Sequence, residues 1–361
     1  MCTCTVRYFI LTWPKHSNLS VTIKDIANRA NVSRGTVDRV IHKRGNVAPY
    51  IQQRIENVIT ELGYKRNVIA SQLARNKSLA IALLLPHPSE DIYWSLPHLG
   101  IEQGAEEYAY LGIKTSPFYF NLAQPSSFTH ATEQIELSKF DACIVAPVFA
   151  NEASHFLQQV HELGIPIICI NTEIDIQIPY YYIGQASYQS GKLAGKLFDI
   201  SIANPYNIAM IQIGQTFDQA EHYLQKEKGL RDFLREHSIQ GHIQSIQLKD
   251  YSNESYLLSD LEQFIREHGP FDGYFIPNSK SFRFVKLLRK QLDAKAVIIG
   301  FDLISENMTA LQNNEIDFLI NQNPKQQGLL AIRSIVNHLI FGQEIESRQY
   351  VSLDIVVKEN L

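Results

Sequence analysis

The segment VTIKDIANRANVSRGTVDRVIHKRG, residues 21 to 45, constrains the fold more than any other part of this 361-residue chain. Thr22 stands as an N-cap before a helix over Ile23 to Ala30, Asn31 and Val32 make a turn, and Ser33 caps a second helix. Ile26, Ala27, Ala30, Val32, Val37, Val40 and Ile41 recur at helical spacing and predict one apolar seam between the two helices. Arg34, Thr36, Arg39 and His42 are left facing outward, and Gly35 removes one side chain from that face. Such a pair fits the DNA major groove, where arginines donate to guanine edges and hydroxyls reach phosphates. Thr22, Ser33, Arg34, Gly35, Thr36, Arg39 and His42 are therefore the candidate DNA-facing residues. An ordinary helical hairpin is the competing reading of the motif taken alone.

Charge separates this head from the rest. Residues 20 to 77 carry eleven Lys and Arg against four acids, and the first nineteen residues add Arg7 and Lys15. Of the 33 basic and 37 acidic residues in the chain, 20 and 33 are left after Lys77, so a basic head precedes an acidic body. Phosphate neutralisation would use that asymmetry directly, and a merely solvated basic face would not explain it. Residues 49 to 62 add a third amphipathic helix through Ile51, Ile55, Val58, Ile59 and Leu62. A short helix over Asn67 to Arg75 follows, too brief to hold alone in water.

Residues 21 to 77 resemble, element by element, the headpiece and hinge helix of the LacI/GalR family of bacterial repressors. The resemblance implies that hinge helices of two subunits pair in the minor groove, with Asn67, Ala70 and Leu73 on the DNA and Leu73 as an apolar wedge at a base step. A plain contact between hinge and body is the other reading of Leu73. Asp38, His42 and Arg66 depart from the family pattern, so operator sequence does not carry over.

From Leu79 onward, short apolar strands alternate with amphipathic helices: LAIALLLP, IKTSPFYF, ACIVAPV and IPIICIN, then after Gly184 NIAMIQIG, HIQSIQL, GYFIP and AVIIGFD. This alternation predicts an α/β class of parallel sheets covered by helices on both faces, repeated in two lobes. Residues 79 to 361 resemble the type I periplasmic sugar-binding fold that the same family uses as its effector domain. The expected organisation is an extension over 1–19 that reads as disordered, an all-α headpiece over 20–66, a hinge helix and linker over 67–77, and an effector domain over 78–361. Its first lobe takes 78–183 and 325–343, its second 184–321 and 344–361, with crossings near Ile183, near 321–324 and near 342–344.

Ligands of open parallel sheets bind beyond the carboxyl ends of the strands. Candidate ligand residues are Asp91, Tyr93 and Trp94 after the first strand, Asn171 and Glu173 after IPIICI, Asn278 after GYFIP, Asp302 after AVIIGF and Gln322 after DFLI. An aromatic face can stack on a pyranose and a carboxylate can accept from its hydroxyls. Taken singly, Trp94 could plug the lobe interface, Asp302 could cap a helix, and the asparagines could serve turns. After YYIG, Gln185, Ala186 and Ser187 stand where the family pattern has an aspartate and asparagine, which leaves sugar identity open.

Neither a nucleophile elbow, a phosphate loop, a zinc helix nor a paired Cys-His motif occurs, so no catalysis, cofactor or metal is expected. Cys2 and Cys4 lie in the N-terminal extension; Cys143 and Cys169 sit in apolar runs and read as buried thiols of a reducing compartment. With no run of about eighteen apolar residues and no clear signal sequence, a cytoplasmic protein without membrane contact is expected. The combined expectation is a homodimeric, sequence-specific DNA-binding regulator, a repressor, that senses a sugar or polyol. The alternatives are a sugar-binding protein of the same fold without specific regulation, and a nonspecific DNA-binding protein.

Overall fold

The computed structural model describes residues 21–41, 45–64, 78–89, 91–203, 205–213, 221–248, 253–289 and 295–361. The expected hinge residues Asn67, Ala70 and Leu73, the N-terminal extension and His42 lie outside them. The chain divides into two units, one ending at Ser71 and the other starting at Gln72.

The first unit is built from α1 (Ile23–Ala30), α2 (Arg34–Ile41) and α3 (Pro49–Glu61). Thr22 starts α1 with a capping box: the Asp25 backbone N donates to the Thr22 hydroxyl, and the Thr22 backbone N donates to the Asp25 carboxylate at 2.8 Å. Asn31 ends α1 in the left-handed region at φ 50°, a conformation asparagine tolerates. Ser33 caps α2 by accepting from the Thr36 backbone N at 3.1 Å, and Pro49 occupies the first turn of α3, where its missing N–H costs nothing. Ile26, Ala27, Ala30, Val37, Ile55 and Val58 form the buried core, with Val32, Val40 and Ile41 packed at its margin.

The second unit holds two six-stranded sheets. The first contains β1 (Leu79–Pro86), β2 (Ile113–Phe120), β3 (Ala142–Val145), β4 (Ile167–Ile170), β5 (Tyr181–Gly184) and β11 (Arg348–Tyr350), in the order β11-β5-β4-β3-β1-β2. The second contains β6 (Tyr206–Ile213), β7 (Gly241–Leu248), β8 (Gly273–Phe275), β9 (Val297–Phe301), β10 (Phe318–Asn321) and β12 (Asp354–Val356), in the order β12-β10-β9-β8-β6-β7. All described pairings are parallel except β10 with β12. The fully buried runs of β3, β4 and β8 are apolar along their length, as strands covered on both faces must be.

The third crossing falls later than the sequence suggests. Arg348–Tyr350 pairs with β5 in the first sheet, and only residues 351 to 353 lead to β12 in the second. Residues 344 to 350 thus belong with the first lobe rather than the second. β11 is a polar strand, RQY, without an apolar run to mark it.

Each lobe repeats one packing device. In the first, α4 (Ser95–Glu107) lies against α11 (Pro324–Leu339); in the second, α7 (Ser187–Ser201) lies against α8 (Glu221–Glu236). Contact is backbone to backbone: a Cβ at Gly100 would stand 1.8 Å from the Lys325 carbonyl oxygen, and one at Gly191 would stand 1.9 Å from that of Lys226. Glycine is required there by closeness, not by backbone angle. The remaining described long helices, α5 (Pro125–Glu133), α6 (Ala150–Glu162), α9 (Glu254–His268) and α10 (Ser305–Gln312), complete the cover.

Candidate functional site

In the first unit, α2 turns one face into the core through Val37 and leaves Arg34, Gly35 and Arg39 exposed. Thr36 is half-buried, and its hydroxyl lies 2.8 Å from that of Ser33, so part of the expected outward set is spent on the cap. Asp38 is half-buried and has a partner. A Cβ at Gly35 would meet only Ser33 Oγ, at 3.8 Å; packing within the unit therefore does not demand glycine there.

In the second unit, residues after the strand ends of both lobes meet. Past β1, Asp91 caps a single helical turn over Ile92–Trp94 by accepting from the Tyr93 backbone N at 3.0 Å. Tyr93 and Trp94 are buried with their rings edge to face at 5.3 Å. Past β4, Asn171 holds the left-handed conformation at φ 67° and donates through Nδ2 to the Tyr93 hydroxyl at 2.5 Å. Burial first, then the nearby Asp302 carboxylate, holds the Tyr93 hydroxyl well above its ordinary pKa. It stays a neutral phenol able to donate its own proton.

Asp302 follows β9 with φ 67° and is 1% exposed. Its Oδ2 accepts from Gln322 Nε2 at 2.9 Å, while Oδ1 is buried without a protein partner. Gln322 in turn accepts at its backbone oxygen from Gln327 Nε2 at 3.0 Å, the latter on α11 of the first lobe. Lys226, on α8 and 1% exposed, donates to the Pro277 carbonyl at 2.8 Å and stands 3.8 Å from the centre of the Phe301 ring. Burial pushes the Asp302 carboxyl up and the Lys226 ammonium down, and their mutual attraction opposes both shifts. Across the lobes, Lys280 Nζ lies 3.9 Å from Asp91 Oδ2.

Asp91, Tyr93, Asn171, Asp302 and Gln322 are thus brought together as expected, with Trp94 behind Tyr93. Two expected ligand residues are otherwise engaged. Glu173 is taken by the Arg348 guanidinium of β11. Asn278 is a frame residue: Nδ2 donates to the Ile213 carbonyl at 3.2 Å and to the Tyr223 hydroxyl at 3.1 Å, and Oδ1 accepts from the Lys280 backbone N. Sequence reasoning missed Lys226, Lys280, Gln185, His222 and Gln327. The signal for Lys226 was present: it shares the inward stripe of α8 with Gly229, Leu230 and Phe233, a charge at a core position.

Residues 81–344 match the periplasmic binding protein domain, and residues 22–67 match the bacterial regulatory proteins of the lacI family. The chain belongs to the periplasmic binding protein domain family and carries a lacI-family head. It is 30% identical over 156 residues to the HTH-type transcriptional regulator DegA of Bacillus subtilis (strain 168), covering 43% of this chain and 45% of that relative. The chain therefore spans less than half the length of this curated relative. A solved protein described as a LacI transcriptional regulator from Bacteroides fragilis superposes with a TM-score of 0.72 at 28% identity, over 79% of this chain and 98% of that one. GanP, a glucose-galactose binding protein from Geobacillus stearothermophilus, shares the fold, with a TM-score of 0.68 at 19% identity over 79% of this chain and 99% of its own.

The lacI-family match ends at residue 67 and the periplasmic-binding-protein match begins at 81, so the pair of matches follows the two units of the chain. Among the described residues no helix is long and apolar enough to cross a membrane. In the periplasmic-binding-protein part, His222 stands in the first turn of α8, half-buried and beside Tyr223. Burial first, and then Lys226, lower its pKa from 6.5 to about 3, and its Nδ1 is shut away from solvent without a partner. A depressed histidine pKa means that the unfolded chain binds the extra proton first, so stability is lost as pH falls from about 6.5 towards about 3. His222→Gln is expected to flatten the fall of melting temperature across that window, measured by thermal unfolding from neutral to acid pH. An unchanged pH slope would remove His222 from the acid response.

Proposed function

We propose that this protein is a sequence-specific DNA-binding transcription regulator, a repressor, whose affinity for DNA is set by a sugar or polyol bound between the lobes of the second unit. The observation that carries this reading is the union in one chain of a lacI-family head with exposed Arg34 and Arg39 on α2 and a cleft whose floor carboxylate, Asp302, keeps one oxygen unpaired. The basic head suits phosphate, and the acidic body does not. The protein works in the cytoplasm as a homodimer: two heads on two half-sites raise each other's effective concentration, and a short hinge helix needs a partner to persist.

Ligand binding acts through differential affinity for two lobe arrangements, with a coupling of roughly 1 to 3 kcal/mol being typical. A route for it lies in the chain of amides from Asp302 to Gln322 at the second crossing and on to Gln327 at the start of α11. Closure would fix that chain and reorient the first lobe, altering the spacing of the hinge helices. Leu73 then wedges a base step in one state and not in the other.

Arg34→Ala or Arg39→Ala should weaken binding to a selected operator by about 5- to 150-fold, corresponding to roughly 1 to 3 kcal/mol for a base-edge contact. Fluorescence anisotropy against salt separates the roles: a phosphate contact lowers the salt slope by about one, whereas a base contact relaxes preference at one position. Loss of neither affinity nor preference would place both arginines off the DNA. Gly35→Ala should stabilise α2 by about 1 kcal/mol, since the methyl meets only Ser33 Oγ at ordinary contact distance, yet weaken operator binding because the glycine lets the helix approach the groove. Equal or tighter binding by that variant would show that close approach is not its task.

A further inference from the structure

We infer that the cleft selects an uncharged, hydroxyl-rich ligand and rejects the phosphorylated and carboxylated forms of the same molecule, an inference that rests on reading the cleft as the effector site. It comes from the orientation of its buried amides. Gln322 gives its Nε2 to Asp302 Oδ2, which fixes its Oε1 as an acceptor, and that oxygen is buried without a partner. Gln327 gives its Nε2 to the Gln322 backbone oxygen, and its own Oε1 is likewise buried and unpartnered. Asp302 Oδ1 is a third such atom, and Gln185 Oε1, just past β5 at the first crossing, is a fourth. Gln185, Asp302, Gln322 and Gln327 are all less than a tenth exposed.

Buried acceptors of this kind each lack a donor. Hydroxyl groups supply donors and accept in return; a phosphate or carboxylate at neutral pH offers oxygens that only accept. Charge leads to the same selection. Lys226 is already satisfied by the Pro277 carbonyl, the Phe301 face and Asp302, and Lys280 lies beside Asp91. Among the described residues, Lys226 is engaged beside Asp302 and Lys280 beside Asp91, so a phosphate bringing about −1.5 to −2 would be buried against two carboxylates. Exclusion by unpaired charge is the stronger form of specificity, because it acts against the wrong ligand rather than for the right one.

The test uses the full chain in thermal-shift and calorimetric titrations with D-ribose and D-galactose, each beside its anionic counterparts (ribose 5-phosphate; galactose 6-phosphate and D-galacturonate), and with D-allose and myo-inositol as further neutral probes. At least one neutral probe is expected to raise the melting temperature, and its charged counterpart to bind about 100-fold more weakly or not at all. Gln327→Leu, which removes one waiting acceptor at constant charge, should weaken the neutral probe by about tenfold without admitting the anion. A charged probe that binds as well as or better than its neutral parent, or a panel in which no neutral probe binds, overturns the inference. The regulator reading fails separately, by loss of sequence-selective DNA binding in the same preparation. A sugar shift without DNA selection would sink that reading and leave this inference standing.

Discussion

Asp302→Asn should abolish the ligand response and, at the same time, lower the stability of the empty protein. The carboxylate is the acceptor on the cleft floor and the counter-charge of a buried ammonium, so one substitution removes both roles. Ligand affinity should fall by about 100-fold or more, since a hydrogen bond to a charged acceptor contributes roughly 1.5 to 3 kcal/mol and its neighbours lose their orientation with it. Stability should also drop, because the buried Lys226 ammonium loses the carboxylate that attracts it. Adding Lys226→Met separates the effects: the double variant should recover most of the stability, and none of the ligand binding. Urea unfolding and titration of one neutral sugar on the three variants check this. If Asp302→Asn binds sugar as tightly as the wild type, the ligand does not sit on the floor carboxylate, and the cleft assignment is wrong.

Gly100→Val should be the most damaging single change outside the cleft. The first carbon of the new side chain would lie 1.8 Å from the Lys325 carbonyl oxygen, on backbone that cannot swing aside as a side chain tip would. Relief requires α4 and α11 to separate by more than an ångström, opening the seam that the bidentate Arg333–Glu107 pair also closes. Overpacking in a well-filled interior costs about 1 to 3 kcal/mol and more when only backbone can yield, so a loss of about 4 kcal/mol or more is expected. Because Gln327 stands in the first turns of α11, the same change should also blunt ligand binding. A melting temperature close to wild type would mean that the two helices are not held in this register.

The parts of the molecule that the sequence discloses are those whose causes are local. Thr22, Ser33 and Pro49 announce helix starts because caps act over three residues, and the headpiece core follows from one helical stripe. Strands of the second unit are legible because burial on both faces forces continuous apolar runs. Asp302, Gln322, Tyr93 and Asn171 could be placed near one another because parallel sheets gather the loops that follow their strands at one end. What stayed hidden has distant partners. Lys226 reaches a carbonyl 51 residues away, and Glu173 is claimed by Arg348, 175 residues away, on a strand too polar to advertise itself. Asn278 was expected at the ligand because of its position, but three frame bonds engage it, two of them to Ile213 and Tyr223, 65 and 55 residues away. A residue at the right strand end is therefore a candidate only until its hydrogen bonds are counted.

Selection of DNA from a random duplex pool by the full-length protein, followed by Kd measurement on the winner with and without the neutral sugar found in the titrations, tests the central claim most directly. The account predicts enrichment of two related half-sites in inverted orientation, and a change in Kd of about 5- to 150-fold when the sugar is added, as a coupling of 1 to 3 kcal/mol requires. An unselected pool bound with a steep salt slope and no response to sugar would contradict it, and would leave a nonspecific DNA-binding head joined to a sugar-binding fold.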